Sequence, residues 1–129
     1  MIIHLDFNSE TPIYVQLRNE IVKGIGSGEL SYGEALPTVR SLANDLQINA
    51  MTVNKAYAIL KNEGFISIDR RHGAKVNPIY DGSVEFKAKL EQDLELLASE
   101  AAVKGMSKED FMRLCEERFP QVQKQTSKE

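Results

Sequence analysis

The segment from Leu36 to Tyr57 constrains this chain more than any other feature, because it encodes two short amphipathic helices separated by a three-residue turn. In each half, apolar residues recur at i, i+3, i+4 and i+7, which gathers them on one helix face. Asn49 is a good N-cap for the second helix, since its side-chain oxygen can accept bonds from the first free amides. Helices this close must cross steeply, which predicts a helix-turn-helix. The two apolar sets are Val39, Leu42, Ala43 and Leu46, then Val53, Ala56, Tyr57 and Leu60.

Several side chains near the start of the second helix point away from its apolar face. Groups of these types can reach base edges and phosphates in a DNA major groove, which predicts a DNA-reading element. Short helix pairs with one apolar face also occur in all-α domains with other functions, so the interpretation depends on the sequence that follows. The outward residues are Asn49, Met51, Thr52, Asn54 and Lys55.

A predicted β-hairpin follows the helix pair. Glu63-Gly64 ends the second helix, with Gly at the left-handed position beyond it. The next residues, FISIDRRHGAKV, contain two short runs with the period-2 alternation of half-buried strands. A cationic hairpin tip beside a helix-turn-helix is typical of a wing, which lies against a neighbouring minor groove or the phosphate backbone. The apolar strand positions are Ile66, Ile68, Ala74 and Val76, and the tip is Arg70, Arg71, His72 and Gly73.

The whole chain is therefore predicted to be α+β and mostly α, a winged helix-turn-helix followed by a two-helix C-terminal segment. We expect residues 1–79 to form the DNA-binding domain, 80–120 the helical segment, and 121–129 a disordered polar tail. An extended lead-in over residues 1–10 precedes a first helix, with Thr11 as its N-cap and Pro12 at its first position. Its apolar stripe is Ile13, Leu17, Ile21 and Ile25.

The C-terminal segment has the pattern of a dimerisation element. Asn77-Pro78 and Asp81-Gly82 mark a linker. Ser83 is expected to cap a long helix to about Lys104, and Ser107 to open a final helix that stops before Pro120. The longer helix carries a narrow apolar stripe that it cannot bury alone, and the final helix is short. The stripe therefore needs both the final helix and a partner chain to cover it. The predicted dimerisation residues are Phe86, Leu90, Leu94, Leu97, Ala101, Phe111 and Leu114.

The net charge of −3 differs from that of a strongly basic DNA binder. Residues 1–79 carry 8 Lys/Arg and 8 acids, whereas residues 80–129 carry 8 and 11. Local potential guides binding more than net charge does. The cations expected on the helix-turn-helix and wing are Arg40, Lys55, Arg70, Arg71 and Lys75.

Other classes of protein are not indicated. No apolar run approaches the roughly 20 residues of a membrane span, and no secretory signal is visible, so we expect a cytoplasmic protein. Cys115 is the single cysteine and lies among apolar residues, which favours a buried structural thiol. His4 and His72 form no metal site, no catalytic arrangement has a credible spacing, and neither an enzyme nor a cofactor is expected.

Three motifs in order resemble the DNA-binding domain of the GntR family of bacterial transcription regulators. They are Pro-Ile-Tyr at 12–14, Leu-Pro-x-x-Arg-x-Leu-Ala at 36–43 and Ala-Tyr-x-x-Leu-x-x-Glu-Gly at 56–64, and the resemblance spans roughly residues 7–77. The short C-terminal part resembles the YtrA-type subfamily, in which it serves dimerisation. The resemblance implies a homodimeric repressor, often of operons for ABC transporters.

The resemblance also implies roles for individual residues. Arg40 matches the family's DNA-contacting arginine, Thr52 a recognition-helix hydroxyl, and His72-Gly73 the wing tip. The chain departs from the family at Ala50 and Met51, where many members have an Arg and a polar residue. Sequence preference would then depend on Arg40, Asn54 and contacts between Met51 and thymine methyl groups.

Three functional hypotheses follow. The first is a repressor that binds double-stranded DNA at an inverted-repeat operator as a homodimer. The second is a winged-helix module that binds another protein, and the third adds a small-molecule effector site in the C-terminal helices. The outward polar residues favour the first hypothesis. A protein-binding surface would expose several apolar side chains, and Met51 is the only apolar residue among the outward ones.

Overall fold

The computed structural model of the protein describes residues 2–78 and 84–120, which form two compact units, one in each range. The predicted class is confirmed: the fold is mostly helical, with a winged helix-turn-helix followed by two helices. None of the described helices is long and apolar enough to cross a membrane. The elements are α1 (Ile13–Ser27), α2 (Val39–Leu46), α3 (Ala50–Asn62), β1 (Ile66–Asp69), β2 (Gly73–Val76), α4 (Val84–Val103) and α5 (Lys108–Arg118).

The core of the first unit is built from the apolar stripes of α1, α2 and α3, closed on one side by the hairpin. Complete removal of one such aliphatic side chain from water contributes about 1.5–3 kcal/mol, so these stripes fix how each helix is rotated about its own axis. The core is Leu17, Ile21, Ile25, Leu30, Leu36, Leu42, Ala43, Val53, Ala56, Tyr57, Leu60, Ile66, Ala74 and Val76.

The turn between α2 and α3 contains a left-handed residue that is not glycine. Gln47 has φ 57°, and it is the one non-glycine residue of the described chain with positive φ. The amide of Ile48 donates to the carbonyl of Ala43 at 3.0 Å and that of Gln47 to Asn44 at 3.3 Å, the paired bonds of a Schellman motif. Asn49 then caps α3, as predicted, by accepting from the Met51 amide at 2.7 Å.

The hairpin is held against the domain by the connector that precedes α2. β1 and β2 pair antiparallel from Ile66 opposite Val76 to Asp69 opposite Gly73. The connector runs along the other edge of β2: Gly33 donates to Val76 at 2.8 Å, and Leu36 donates to Ala74 at 2.8 Å. Ile68 differs from the predicted pattern. It is 45% exposed, because the strand extends past the core toward the tip.

The prediction for the start of α1 is wrong. The helix begins at Ile13 with Pro12 at the N-cap, and no side chain caps it. Instead of capping, Thr11 lies in the lead-in, where its carbonyl accepts from the side-chain amide of Gln16 at 2.8 Å. The same amide donates to the Asp6 carbonyl at 2.9 Å, and its oxygen accepts from the Asp6 backbone at 2.8 Å. Gln16 therefore fastens the lead-in to α1.

Asn77 belongs to the first unit, although the sequence places it in a linker. Its side-chain amide donates to the Gly64 carbonyl at 2.7 Å and its backbone amide to Phe65 at 3.0 Å. These bonds tie the end of β2 to the turn after α3. The remaining predictions for this region, the Asp81-Gly82 linker and the Ser83 cap, lie outside the described residues, as does the predicted tail over 121–129.

The second unit consists of α4 and α5. α4 ends at Val103, one residue before the predicted end, and Ser107 caps α5 by accepting from the Asp110 amide at 3.1 Å. Neither helix contains a buried residue. The prediction of a buried thiol is wrong for the single chain: Cys115 is exposed, because the apolar residues around it face solvent as well.

Candidate nucleic-acid interface

The rotation of α3 determines which of its side chains face solvent. Because its apolar face is in the core, the start of the helix presents Met51, Asn54 and Lys55 outward, while Thr52 is half-buried. Met51 is 77% exposed, an unusual position for a large apolar side chain in water. Asn49 uses its side-chain oxygen to cap the helix, which leaves its amide nitrogen as the group that can contact a base.

Arg40 is the second residue of α2, and α3 supports the segment that carries it. Thr38 caps α2 by accepting from the Ser41 amide at 3.0 Å. The hydroxyl of Tyr57 in α3 donates to the Pro37 carbonyl at 2.7 Å, just before that cap. Tyr57 is 2% exposed, and burial raises its pKa to about 12. The exposed Arg40 side chain therefore extends from a segment whose backbone is hydrogen-bonded to α3, the proposed recognition helix.

Asp69, which is not among the residues predicted for the site, organises the wing tip. One carboxylate oxygen accepts from the Arg71 amide at 2.7 Å, and the other lies 3.1 Å from Nδ1 of His72. The hydrogen bond with His72, followed by that with the Arg71 backbone, lowers the pKa of Asp69 below its usual value. Gly73 completes the turn at φ 72°. An Asp two residues before a tip is a known turn signal, so the sequence did contain the clue.

The cations of the chain divide into paired and unpaired groups. Arg18 Nη2 lies 2.8 Å from Glu63, and Lys23 Nζ lies 3.0 Å from Glu20. In the second unit, Lys89 pairs with Asp93 and Arg113 with Asp110. Within the part of the chain that the structure describes, four proposed DNA-contacting cations have no carboxylate at salt-bridge distance: Arg40, Lys55, Arg70 and Arg71.

Lys55 has an aromatic neighbour instead. Its Nζ lies 4.1 Å from the centroid of the Tyr14 ring, at the start of α1.

The predicted site residues are divided between the two units. Those predicted to bind DNA lie on α2, on α3 with its N-cap and on the wing of the first unit, whereas the predicted dimerisation residues belong to the second unit. Among residues 2–78 and 84–120, no group of His, Cys, Asp and Glu side chains could hold a metal ion.

A helix-turn-helix with an exposed second helix and a cationic wing defines the class of winged helix-turn-helix DNA-binding proteins. The chain belongs to the GntR family: the family described as "Bacterial regulatory proteins, gntR family" matches residues 13–76. It is a DNA-binding transcription regulator, and the predicted resemblance to GntR regulators of the YtrA type is confirmed.

Three similar proteins support this assignment. The structure of YtrA from Sulfolobus acidocaldarius, a GntR-family transcription factor, is 35% identical, with a TM-score of 0.66 over 77% of this chain and 99% of that one. The regulator Rv1152 of Mycobacterium tuberculosis is 29% identical over 111 residues, which cover 86% of this chain and 88% of that protein. The transcriptional repressor YtrA of Bacillus subtilis is 37% identical over 75 residues, or 58% of each protein.

Proposed function

We propose that the protein is a homodimeric repressor that binds an inverted-repeat operator in double-stranded DNA. The observation that carries this proposal is the distribution of unpaired cations in the first unit. Arg18 and Lys23 of α1 are neutralised by carboxylates, while the Lys and Arg cations of α2, of α3 and of the hairpin have no carboxylate at salt-bridge distance among the described residues. Cations without carboxylate partners remain available for phosphates, which supply much of the affinity for DNA.

Each element of the interface has a distinct proposed role. Arg40 and Asn54 read bases, because guanidinium and amide groups form directional bonds with base edges. Met51 contacts thymine methyl groups, and its 77% exposure fits that role. Phosphate and wing contacts position the protein without reading sequence. The proposed interface is Arg40, Asn49, Met51, Thr52, Asn54, Lys55, Arg70, Arg71, His72 and Gly73.

The homodimer is proposed from the exposure of the second unit. On α4, Phe86, Leu90, Leu94 and Leu97 are 56%, 49%, 45% and 56% exposed. The α5 helix leaves this stripe largely uncovered, with Ala101 and Phe111 reaching intermediate burial. A second copy related by a two-fold axis would bring an identical stripe against it, which is how closed homodimers bury one patch on both chains.

The same dimer accounts for the apolar groove along α5. Apolar side chains of this open groove alternate with charged ones, and Leu114 on the same helix is 40% exposed. The groove is lined by Glu109, Met112, Arg113, Cys115, Glu116, Phe119 and Pro120. We propose that the second copy covers this groove, which would bury the Cys115 thiol as its apolar sequence context predicts. A small-molecule effector has no comparable support in the contacts of the described residues.

Repression is proposed from the resemblance and from the printed name of a similar protein. The YtrA protein of Bacillus subtilis is named a transcriptional repressor. A dimer bound across an operator would block transcription by occupying the promoter. Because the chromosome of a bacterium lies in its cytoplasm, we also propose a cytoplasmic location.

Selection from a random DNA pool tests this function. The wild-type protein should enrich an inverted repeat whose half-site centres are about 10 base pairs, or a multiple of that, apart. A variant with both Arg40→Ala and Asn54→Ala should retain weak binding and lose the enriched pattern. If wild-type protein enriched no sequence over the starting pool, the proposed function would be wrong.

A further inference from the structure

Tyr14 lies where α1 meets the recognition helix. It is the second residue of α1, is half-buried and packs against the core. Lys55 is the sixth residue of α3 and is exposed. The 4.1 Å distance between the Lys55 ammonium and the Tyr14 ring centroid is well within the range of a cation–π interaction. The packed ring therefore gives a flexible surface side chain a defined position.

An aromatic partner orders a cation without neutralising it. The ring attracts the ammonium through its quadrupole and takes no formal charge from it. Arg18 shows the opposite arrangement. Its guanidinium lies 5.3 Å from the centroid of Phe65, but Glu63 also approaches it at 2.8 Å and balances its charge. Lys55 has no carboxylate at that distance in the described part of the chain, so its N–H donors remain available to an anion.

We propose that Tyr14 is a positioning residue that holds the Lys55 ammonium in place for a DNA phosphate. The proposal rests on the proposed function. A lysine side chain that is ordered before binding loses less conformational freedom when it contacts the phosphate. The gain from ordering Lys55 cannot exceed the strength of the cation–π contact, which corresponds to about two- to fivefold at an exposed site, so we expect a loss of up to about that factor per half-site.

A double-mutant cycle tests the proposal on a duplex that wild-type protein selects from a random pool. Tyr14→Phe keeps the aromatic ring and should bind within about twofold of wild type. Tyr14→Leu removes the ring and should weaken binding by about two- to fivefold per half-site. In a Lys55→Met background, Tyr14→Leu should cause no further loss, because the residue on which Tyr14 acts is gone.

Phe65→Leu is the matched control. It removes a second cation–π contact of the described residues, whose cation is already paired with Glu63. Its effect on binding should simply add to that of Lys55→Met. A loss with Tyr14→Phe as large as with Tyr14→Leu would show that the hydroxyl itself acts, and would overturn the proposal. Additive losses for Tyr14→Leu and Lys55→Met would overturn it as well.

The free protein provides a second measurement. Side-chain protons of Lys55 near an aromatic face should have upfield-shifted NMR resonances in wild type and in Tyr14→Phe. The shift should disappear in Tyr14→Leu. Ordinary lysine shifts in wild type would contradict the proposal even if the protein binds its operator normally. Failure of wild type to prefer any sequence would instead contradict the proposed function, so the two failures are distinguishable.

Discussion

Tyr57 is a single side chain that belongs to the core and supports the interface. Its ring packs among the apolar faces of the helices, and its hydroxyl bonds to Pro37 just before the helix that carries Arg40. A buried phenol is stable only in its neutral form, which is why burial raises its pKa to about 12. The same residue therefore links stability to alkaline pH.

Tyr57→Phe tests that link. Because the folded pKa exceeds the ordinary value of 10.0, the contribution of Tyr57 is fully present below pH 10 and is lost as pH rises through about 12. The difference in unfolding free energy between wild type and Tyr57→Phe should fall by about 2–3 kcal/mol over that range. Urea denaturation of both proteins at each pH measures it. A difference that stays constant with pH would mean that the Tyr57 hydroxyl ionises as easily in the folded protein as in the unfolded one.

Arg40 and Lys55 should differ in what they contribute to binding. Arg40→Ala should cost about 1–3 kcal/mol on the operator and relax discrimination at one position per half-site. Lys55→Ala should weaken binding to all sequences alike. It should also reduce the slope of log binding constant against log salt concentration by about one per half-site. Lys61→Ala makes the same charge change farther along α3 and is the control. It should alter neither the affinity for DNA nor its dependence on salt. Equal losses on operator and random DNA for Arg40→Ala would show that this residue only positions the protein.

At the scale of elements, the turn between α2 and α3 sets the crossing of the helix-turn-helix. Gln47 adopts a left-handed conformation that costs an L-residue about 1–2 kcal/mol. The cost is offset because the turn places Ile48 against the core and closes the two backbone bonds at the end of α2. The local conformation is therefore imposed by packing, with no glycine to favour it.

Substitutions at position 47 should separate these effects. Gln47→Gly removes the steric cost and adds freedom to the unfolded chain, so stability should stay within about 1 kcal/mol of wild type. Gln47→Val, whose β-branched side chain suits positive φ least, should be less stable than Gln47→Gly by at least about 1 kcal/mol. Thermal unfolding of the three proteins measures both. Equal stabilities for Val and Gly would show that the turn relaxes out of the left-handed region.

What the sequence predicted at this scale follows from local chemistry. The Asn49 cap, the glycine after α3 and the hairpin turn depend on residues within a few positions of one another, and all appear in the structure. The predictions that failed depended on contacts that the local pattern does not contain. The Thr11 carbonyl accepts from the side chain of Gln16 and the Thr11 side chain does not cap α1, while Asn77, placed in a linker by its sequence, bonds to Gly64 thirteen residues earlier. Cys115 lies in an apolar stretch that faces solvent in the described part of the chain, and we propose that a second copy buries it.

On the scale of the whole molecule, the two units differ in how much apolar surface they bury. The first has a packed core of its own, whereas no residue of α4 or α5 is buried. A helix pair that leaves its apolar stripe in water gains little from folding alone. We therefore propose that the first unit folds by itself and reads DNA, and that the second unit associates with a second copy of the chain.

Truncation after Pro78 tests this division of roles. The fragment should remain folded and sediment as a monomer, because it keeps the core and loses the exposed stripe. Its affinity for the operator should fall by about 10²-fold or more, since the two half-sites are no longer bound by linked domains. Sedimentation and DNA titration of the fragment and the full chain measure both properties. A fragment that stays dimeric would show that the dimer interface lies in the first unit and would contradict this division of roles.

The most direct test of the central claim is a titration of full-length protein against three duplexes built from one selected half-site. The duplexes carry it once, twice as an inverted repeat, or twice as a direct repeat with the same spacing, and native mass spectrometry counts the bound chains. We predict two chains per inverted repeat, with an affinity at least about tenfold higher than for the other two duplexes. Equal affinity for the direct repeat or the single half-site would contradict a two-fold dimer that reads DNA through α3.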